Sequence, residues 1–347
     1  MFNFTATPSL SLYIHIPWCV RKCPYCDFIS HEVRDEIPES AYLQALIADL
    51  EQDLPAVWGR TVETVFFGGG TPSLFSPEGI DRLLAGVRAR IPLKPEAEIT
   101  LEANPGTVDH ARFRGFREAG VNRLSIGIQS FQPGLLKSIG RIHNEQEAIA
   151  AAESAHRAGF ENFNLDLIFG LPGHTQAHAL QDLRMDRELE PAHISWYELT
   201  IEPNTWFHLH PPQRPDDDTL WEIQQAGRAQ LAAAGYARYE VSAYARDQQQ
   251  CRHNLNYWQF GDYLGIGAGA HATITDAATQ GITRTAKQKH PRSYLDNAHS
   301  AGRISSSNPI TPEDARLEFA MNALRLDRGF SAATFLSLIH ISEPTRH

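Results

Sequence analysis

Small polar residues recur on one face of three strand-like segments, and this pattern restricts the possible fold more than any other feature. In residues 124–129, apolar side chains alternate with Ser125, Gly127 and Gln129. Residues 98–102 and 162–167 show the same split. Alternate residues of a strand face opposite sides of its sheet, and a parallel sheet covered by helices on both sides is apolar on both. One side of this sheet is therefore expected to face a polar ligand or lumen.

Strand-like and helix-like runs alternate from residue 11 to about residue 200. Six strands are predicted, at residues 12–17, 62–67, 98–103, 124–129, 162–169 and 193–200. Amphipathic helices are predicted between them, near residues 39–54, 77–90, 109–119, 145–158 and 175–189. This alternation indicates βα units and a parallel sheet. With the polar face, it predicts an α/β fold: an open (β/α)6 part-barrel, two units short of the closed eight, with the helices outside.

The pattern changes after residue 205, where the Pro-rich stretch 210–215 breaks the alternation. We predict a part-barrel domain over residues 1–205 and a smaller accessory C-terminal domain, lacking its end, over 206–335. Within the second, a helix is expected near 217–234, a strand over 239–244 and a helix over 312–326. Residues 336–347 resemble a translated sequencing adapter rather than a frayed helix end, and are set aside.

Composition excludes several classes of protein. The 347 residues are 42% hydrophobic and carry a formal net charge of −10, which argues against a nucleic-acid binder driven by phosphate contacts. No apolar run approaches the roughly 20 residues that span a membrane, so no integral membrane segment is expected. Four cysteines, three of them clustered, suit a reducing compartment, and we predict a cytoplasmic protein.

The clustered cysteines are Cys19, Cys23 and Cys26, spaced C-x3-C-x2-C after the first strand. Three thiolates poorly serve a metal that needs four protein ligands. A [4Fe–4S] cluster held by three cysteines leaves one iron free for a small ligand, although most clusters use four. The alternatives are a zinc site with a distant fourth ligand, such as Cys251 or a histidine, and a disulfide. Zinc sites usually use paired knuckles, and three cysteines suit a disulfide badly.

This cysteine pattern resembles the signature of the radical S-adenosylmethionine (SAM) superfamily, in which SAM chelates the open iron. A glycine-rich turn, residues 68–72, follows the second strand and would let the backbone approach a ligand with free N–H donors, or else is a plain tight turn. Glu102, Gln129 and Asp166 stand late in their strands. They are thus expected on the same carboxyl-end rim as the cysteine loop.

The chain further resembles the oxygen-independent coproporphyrinogen III oxidase group over residues 11–330. The stretches that carry this resemblance are the cysteine trio and residues 13–17, 68–73, 102–105, 126–131 and 166–172. It implies that Cys19, Cys23 and Cys26 ligate a [4Fe–4S] cluster. It also implies SAM contacts, some of them to a second SAM in the true oxidases, at Tyr13, Gly69, Gly70, Thr71, Glu102, Gln129, Arg141, Asp166 and Thr200. Taken singly, these polar groups suit structural hydrogen bonds equally, and Tyr13 suits a core position.

The chain departs from the true oxidases in two places, and there it resembles one branch of the group, the haem chaperones (HemW). Phe28 stands where the true oxidases have a further cysteine, and residues 253–258 read H-N-x-x-Y-W. The resemblance implies haem binding at His253, Tyr257 and Trp258. An imidazole can ligate haem iron, and aromatic rings can pack on a porphyrin; Cys251 is a possible second ligand. From the chemistry alone, a hydrogen-bonded surface histidine and core aromatics are the alternative.

The sequence therefore predicts a haem chaperone that holds a [4Fe–4S] cluster and SAM and delivers haem to respiratory acceptor proteins. The alternative is an oxygen-independent coproporphyrinogen III oxidase, which forms protoporphyrinogen IX by oxidative decarboxylation. No catalytic residue is assigned, and whether the chain is an enzyme stays open at this point.

Overall fold

The computed structural model describes residues 2, 4, 7–332 and 335–336. Its strands are β1 (Leu10–Ile16), β2 (Trp18–Cys19), β3 (His31–Glu32), β4 (Val62–Gly69), β5 (Leu93–Ala103), β6 (Arg123–Gln129), β7 (Phe163–Phe169), β8 (His193–Glu198), β9 (Ala237–Glu240), β10 (Ala243–Ala245), β11 (Asp262–Ile266), β12 (His271–Asp276), β13 (Gly281–Lys287) and β14 (Ile304–Pro309). Its helices are α1 (Glu39–Asp53), α2 (Pro77–Arg88), α3 (His110–Glu118), α4 (Pro133–Ser138), α5 (Glu145–Arg157), α6 (Gln176–Glu188), α7 (Trp206–Leu209), α8 (Asp217–Ala233), α9 (Arg252–Trp258), α10 (Pro291–Asn297) and α11 (Pro312–Ala323). Among these helices, none combines the length and apolar character that crossing a membrane requires.

Twelve of the strands form one sheet, in the order β14-β13-β12-β11-β1-β4-β5-β6-β7-β8-β10-β9. The strands from β11 to β8 pair in parallel, and the strands at both ends pair antiparallel. The six predicted strands are β1, β4, β5, β6, β7 and β8, which are neighbours in chain order with at least one helix between successive members. The predicted α/β fold with a parallel part-barrel sheet is confirmed.

Strands that follow residue 205 extend this sheet at both of its ends. β11 adds a further parallel strand beside β1, and β10 pairs with β8. The strand predicted over 239–244 is wrong as a single element, because β9 and β10 form a tight antiparallel pair there. The boundary between two domains at residue 205 stays a prediction. The predicted adapter segment lies, apart from Leu336, outside the described residues.

The two faces of β6 confirm the predicted split between a core side and a polar side. Leu124, Ile126 and Ile128 are fully buried in the hydrophobic core that the helices cover. The intervening Ser125 and Gly127 line a cavity inside the sheet. A strand with period-two polarity thus separates the packed helices from a polar lumen.

Buried ion pairs fasten the C-terminal strands to α1. Asp49 is fully buried and accepts hydrogen bonds from Lys287 Nζ at 2.6 Å and from Arg303 Nε at 2.8 Å. It also accepts one from the Gly267 N–H at 3.1 Å, just beyond β11. Asp53 pairs with the same lysine and arginine. This group therefore fixes α1 relative to β11, β13 and the segment before β14.

We expect Asp49→Asn to lower the free energy of unfolding by about 3–5 kcal/mol, because it leaves two buried cations to share Asp53. Urea unfolding followed by circular dichroism measures this change. Asp81→Asn is the matched control, since Asp81 is exposed on α2. Equal unfolding free energies for the Asp49 and Asp81 variants would show that the buried pairs contribute little.

Candidate functional site

A cavity of about 910 Å³ lies inside the parallel sheet. Its wall comes from the inward side chains of β1 and β4 to β8, the cysteine loop, α9 and β11. Small-molecule sites commonly measure about 300–1,000 Å³ and carry a few convergent polar groups in an apolar wall. The cavity thus has room for a ligand of cofactor size.

The cysteine loop is closed at its base by the short pair β2 and β3. Cys19 is the last residue of β2 and lies in register with Glu32. Cys23 and Cys26 follow in a turn that the Cys26 N–H closes onto the Cys23 carbonyl at 3.1 Å. All three thiols are free, half-buried and in the cavity wall. The loop therefore presents the three predicted ligands to one space, as the sequence predicts.

The donor set suits a cluster better than a single ion. Across the described ranges, no three His, Cys, Asp or Glu side chains meet as the ligands of one metal would. Cys251, the suggested fourth zinc ligand, is fully buried elsewhere, with its Sγ 3.8 Å from Glu98 Oε1. In a [4Fe–4S] cluster each thiolate binds a different iron, so convergence on one point is not required.

Burial favours the protonated form of two thiols of the cysteine loop, Cys19 and Cys26. It raises the pKa of Cys26 to about 11 and raises the pKa of Cys19 as well. Both thiols therefore keep their protons at neutral pH until a metal replaces them, as metal ligation requires. Arg141 places its Nη1 atom 3.8 Å from Cys23 Sγ and donates from Nη2 to the Gly127 carbonyl.

The glycine-rich turn permits close contact but does not offer free donors. A Cβ on Gly70 would lie 2.4 Å from the Trp18 carbonyl oxygen, so a side chain has no room there. However, Gly69 N–H donates to Glu102 Oε2 at 3.1 Å, Gly70 N–H to the Ile16 carbonyl at 2.8 Å, and Thr71 N–H to the Trp18 carbonyl at 2.7 Å. The expectation of free backbone donors at Gly69 to Thr71 is wrong, because these N–H groups bind neighbouring segments.

The buried carboxyl group of Glu102 holds its proton to a much higher pH than an exposed one does. Burial, followed by the charge of Asp166, raises its pKa to about 8, although the Gly69 N–H opposes the shift. A protonated carboxyl can both donate and accept a hydrogen bond. Glu102 can therefore bind a ligand hydroxyl in either direction.

Gln129 ends β6, as predicted, whereas Asp166 is the fourth of the seven residues of β7 and does not stand at its end. Gln129 Oε1 accepts hydrogen bonds from Tyr25 OH at 3.3 Å and from Tyr197 OH at 3.0 Å. Since Tyr25 lies between two of the cysteines, this bond ties the cysteine loop to the rim of the sheet. Asp166 accepts from Ser125 Oγ at 3.0 Å. Sequence reasoning missed Tyr25 and Tyr197; the position of Tyr25 inside the cysteine motif was the available signal.

The remaining predicted SAM contacts divide into two groups. Tyr13 lines the cavity and hydrogen-bonds His15 Nδ1 at 3.0 Å, and His15 Nε2 hydrogen-bonds the Ile29 carbonyl at 2.7 Å. Thr200 is exposed beyond β8 and does not line the cavity. The structure thus brings every predicted SAM residue except Thr200 to the same cavity.

The H-N-x-x-Y-W motif occupies α9, and its four specified residues share one face. His253, Asn254, Tyr257 and Trp258 line the cavity, whereas the two unspecified positions do not. Residues i, i+1, i+4 and i+5 fall on the same side of an α-helix, which explains the grouping. Of the unspecified pair, Asn256 donates to the Asp262 carbonyl at 2.9 Å and so anchors α9 to β11.

His253 is a lumen residue rather than the surface histidine of the alternative interpretation. It is 1% exposed and hydrogen-bonds Thr64 Oγ1 at 2.7 Å through Nδ1 and Tyr257 OH at 3.1 Å through Nε2. Burial and the charge of Arg123 lower its pKa to about 3. The ring is therefore neutral, which is the form that ligates iron, but both nitrogens already have partners.

Comparison with known proteins agrees with this geometry. Residues 13–185 match the family model described as "Radical SAM superfamily". The chain is 52% identical to "Heme chaperone HemW" of Escherichia coli (strain K12), over 97% of this chain and 88% of that protein. It is 51% identical to the protein of the same name from Haemophilus influenzae, over 92% and 83%.

A solved structure, coproporphyrinogen III oxidase (HemN) from Escherichia coli, superposes with a TM-score of 0.82. It is 24% identical, with coverage of 96% of this chain and 80% of that one, and this likeness shows the fold alone. The chain belongs to the radical SAM superfamily and, within it, to the family of the heme chaperone HemW. The sequence-based assignment to this branch is confirmed.

We expect Cys23→Ser to abolish the broad visible absorption acquired on anaerobic reconstitution with iron and sulfide, because a hydroxyl is a poor ligand for such a cluster. The far-ultraviolet circular dichroism should not change. Cys251→Ser is the control, since Cys251 lies outside the cysteine loop. Wild-type absorption in the Cys23 variant would contradict the ligand assignment.

Glu102 should make stability of the ligand-free protein depend on pH. The folded chain keeps its proton up to about pH 8, whereas the unfolded chain releases it near the ordinary value of 4.5. The unfolding free energy therefore falls as the pH rises from 4.5 to 8. Glu102→Gln should lose less stability between pH 5 and pH 8 than the wild type in urea titrations. Glu118→Gln, an exposed control, should follow the wild type, and parallel curves for all three proteins would contradict the burial argument.

Proposed function

We propose that this chain is a haem chaperone that binds haem together with a [4Fe–4S] cluster and SAM. It would deliver the haem to haem-requiring respiratory proteins. The observation that carries the proposal is the 52% identity, over 97% of the chain, to a protein named "Heme chaperone HemW". A reducing compartment such as the cytoplasm suits its free thiols.

The cavity wall offers residues for both cofactors. Cys19, Cys23 and Cys26 would hold the cluster. The groups that would contact SAM are Tyr13, Gly69, Gly70, Thr71, Glu102, Gln129, Arg141 and Asp166, all in the cavity wall, with Thr200 assigned by resemblance only. When bound, cluster and SAM supply radical chemistry, while the chain supplies binding, orientation and exclusion of water.

Arg141 is suited to a ligand carboxylate at the rim of the cavity. Its guanidinium spans Cys23 and the Gly127 carbonyl, and its buried Nε atom has no hydrogen-bond partner among the described residues. A guanidinium can bind a carboxylate through two parallel hydrogen bonds. Arg141 would thus position the amino-acid end of SAM next to the cysteine loop.

The α9 face supports haem binding in the same cavity. Tyr257 and Trp258 present aromatic surface beside His253, and such rings can pack on a porphyrin or hydrogen-bond a propionate. Ligation of iron by His253 Nε2 would require the Tyr257 hydroxyl to give up its bond to that nitrogen. Reorientation of one phenol is thus the local change that the proposal demands.

The alternative, oxidative decarboxylation of coproporphyrinogen III, rests on the fold. The similar oxidase structure is only 24% identical. At the position where the resemblance expects a further cysteine, Phe28 is 59% exposed and lines the cavity. Phe28 does not provide the thiol that the resemblance expects in the true oxidases, so this position favours the chaperone.

An anaerobic haem titration followed by absorbance tests the proposal. We expect saturable binding to the reconstituted wild type, and weaker binding or an altered spectrum for His253→Ala, which lacks the imidazole. His110→Ala is the control, because His110 is exposed at the start of α3. Addition of a haem-free respiratory acceptor should then transfer the haem absorption to the acceptor.

Absence of saturable haem binding by the wild type would overturn the chaperone proposal. Incubation with coproporphyrinogen III, SAM and a reductant, with analysis of the porphyrin products, would then test the oxidase alternative. Wild-type binding and spectrum in His253→Ala would leave haem binding intact but remove His253 as the ligand.

A further inference from the structure

Arg123 is a buried arginine that the site described above does not use. It is the first residue of β6, is 2% exposed, and lines the cavity. Its side chain forms no hydrogen bond and no ion pair within the described part of the chain, and its Nε atom is buried without a partner. Sequence reasoning did not single out this residue.

The polar side chains around Arg123 form hydrogen bonds with other residues and not with its guanidinium. Asn164 Nδ2 donates to Ser125 Oγ at 2.8 Å and to Asp166 Oδ1 at 2.9 Å. Glu98 accepts from the His253 N–H at 3.1 Å at the start of α9. Glu98 and Asp166 lie near enough for their charges to favour the charged guanidinium, but neither accepts a hydrogen bond from it.

A second unpartnered group lies beside Arg123. Thr100 of β5 is paired with Arg123 in the parallel register and is fully buried. Its Oγ1 atom is also buried without a hydrogen-bond partner among the residues the structure covers. Of the two, Arg123 lines the cavity and Thr100 does not, so Arg123 is the unsatisfied group that a ligand in the cavity can reach.

This region is distinct from the rim that the cysteine loop occupies. Arg123 begins β6, and Gln129, which bonds the cysteine loop through Tyr25, ends it. Six residues of strand extend over about 20 Å. A ligand held at the rim by the cysteines and Arg141 would have its own carboxylate there, far from Arg123.

A buried guanidinium is always charged, and leaving it unpaired is costly. Its five donors form a planar fork that matches a carboxylate. We propose that Arg123 forms a carboxylate-binding subsite deep in the cavity, for a ligand other than the SAM at the rim. The carboxylate is a haem propionate, in which case the inference rests on the proposed function, or belongs to a second SAM molecule.

Equilibrium binding to Arg123→Met, which removes the charge and keeps much of the volume, tests this subsite. If the group is a propionate, the variant should bind haem about 10- to 100-fold more weakly than the wild type, as expected for loss of a charge-assisted pair. Haem dimethyl ester, whose propionates are neutral, should bind both proteins equally. If the group belongs to a second SAM, the variant should lose one of two SAM equivalents, and decarboxylated SAM should show no such difference.

Arg60→Met is the matched control, because Arg60 is also a largely buried arginine but pairs with Asp262 at 2.6 Å. In the absence of ligand, Arg60→Met should lower the urea midpoint, because it breaks the ion pair with Asp262. Arg60→Met should leave the ratio of haem affinity to ester affinity unchanged.

Equal affinities of wild type and Arg123→Met for haem and for SAM would overturn the subsite. So would an equal loss of affinity for haem and its dimethyl ester, since that marks a general effect on the cavity. Failure of the wild type to bind haem would instead count against the proposed function, and the SAM arm would then decide the subsite alone.

Discussion

The buried carboxylate of Asp49 is the contact on which the position of β11 and β13 relative to α1 depends. Besides its two cations and the Gly267 N–H, it accepts a hydrogen bond from Tyr294 OH at 2.8 Å. Two turns earlier on α1, Tyr42 OH donates to the His15 carbonyl and accepts from the Ala268 N–H, both at 2.8 Å. One helix therefore positions the carboxyl ends of β1 and β11 together, and the cysteine loop begins at the end of β1.

The cavity differs from the surroundings of Asp49 in that several of its buried polar groups have no partner among the residues described. Around Asp49, cations and anions are matched and closed off from solvent, whereas the lumen contains guanidinium atoms without partners and carboxyl groups whose pKa values burial raises. Buried polar groups are normally satisfied, and exceptions call for an explanation such as an absent ligand. The same fold thus contains two kinds of buried polar group. The ion pairs around Asp49 are satisfied and hold the strands in place. The polar groups of the cavity are not all satisfied, which suits the binding of charged ligands.

Local pattern was sufficient to predict six of the strands that line the site, but not α9, β11 or the long-range pairing of the strands. β4, β6 and β7 appear within two residues of their predicted bounds, because period-two polarity and turn residues are local signals. β11 was missed because it is five residues long and pairs with a strand some 250 residues earlier. Arg123 was missed for a similar reason: a charged residue at a strand start resembles an exposed edge until the neighbouring strands enclose it.

The glycine-rich turn shows which properties of a motif its sequence indicates and which depend on the rest of the fold. Its composition indicated a close approach of the backbone to a ligand, and the approach that the structure shows is that of Gly70 to the Trp18 carbonyl. It could not indicate which partners its N–H groups bind, and these are Glu102, the end of β1 and Trp18 of β2. Ligand contacts at this turn must therefore use the surface that the glycines leave open and the side chains around it. Since Glu102 holds Gly69 through one carboxyl oxygen, only its other oxygen is available to a ligand, and a hydroxyl on that ligand is the group such an oxygen best accommodates.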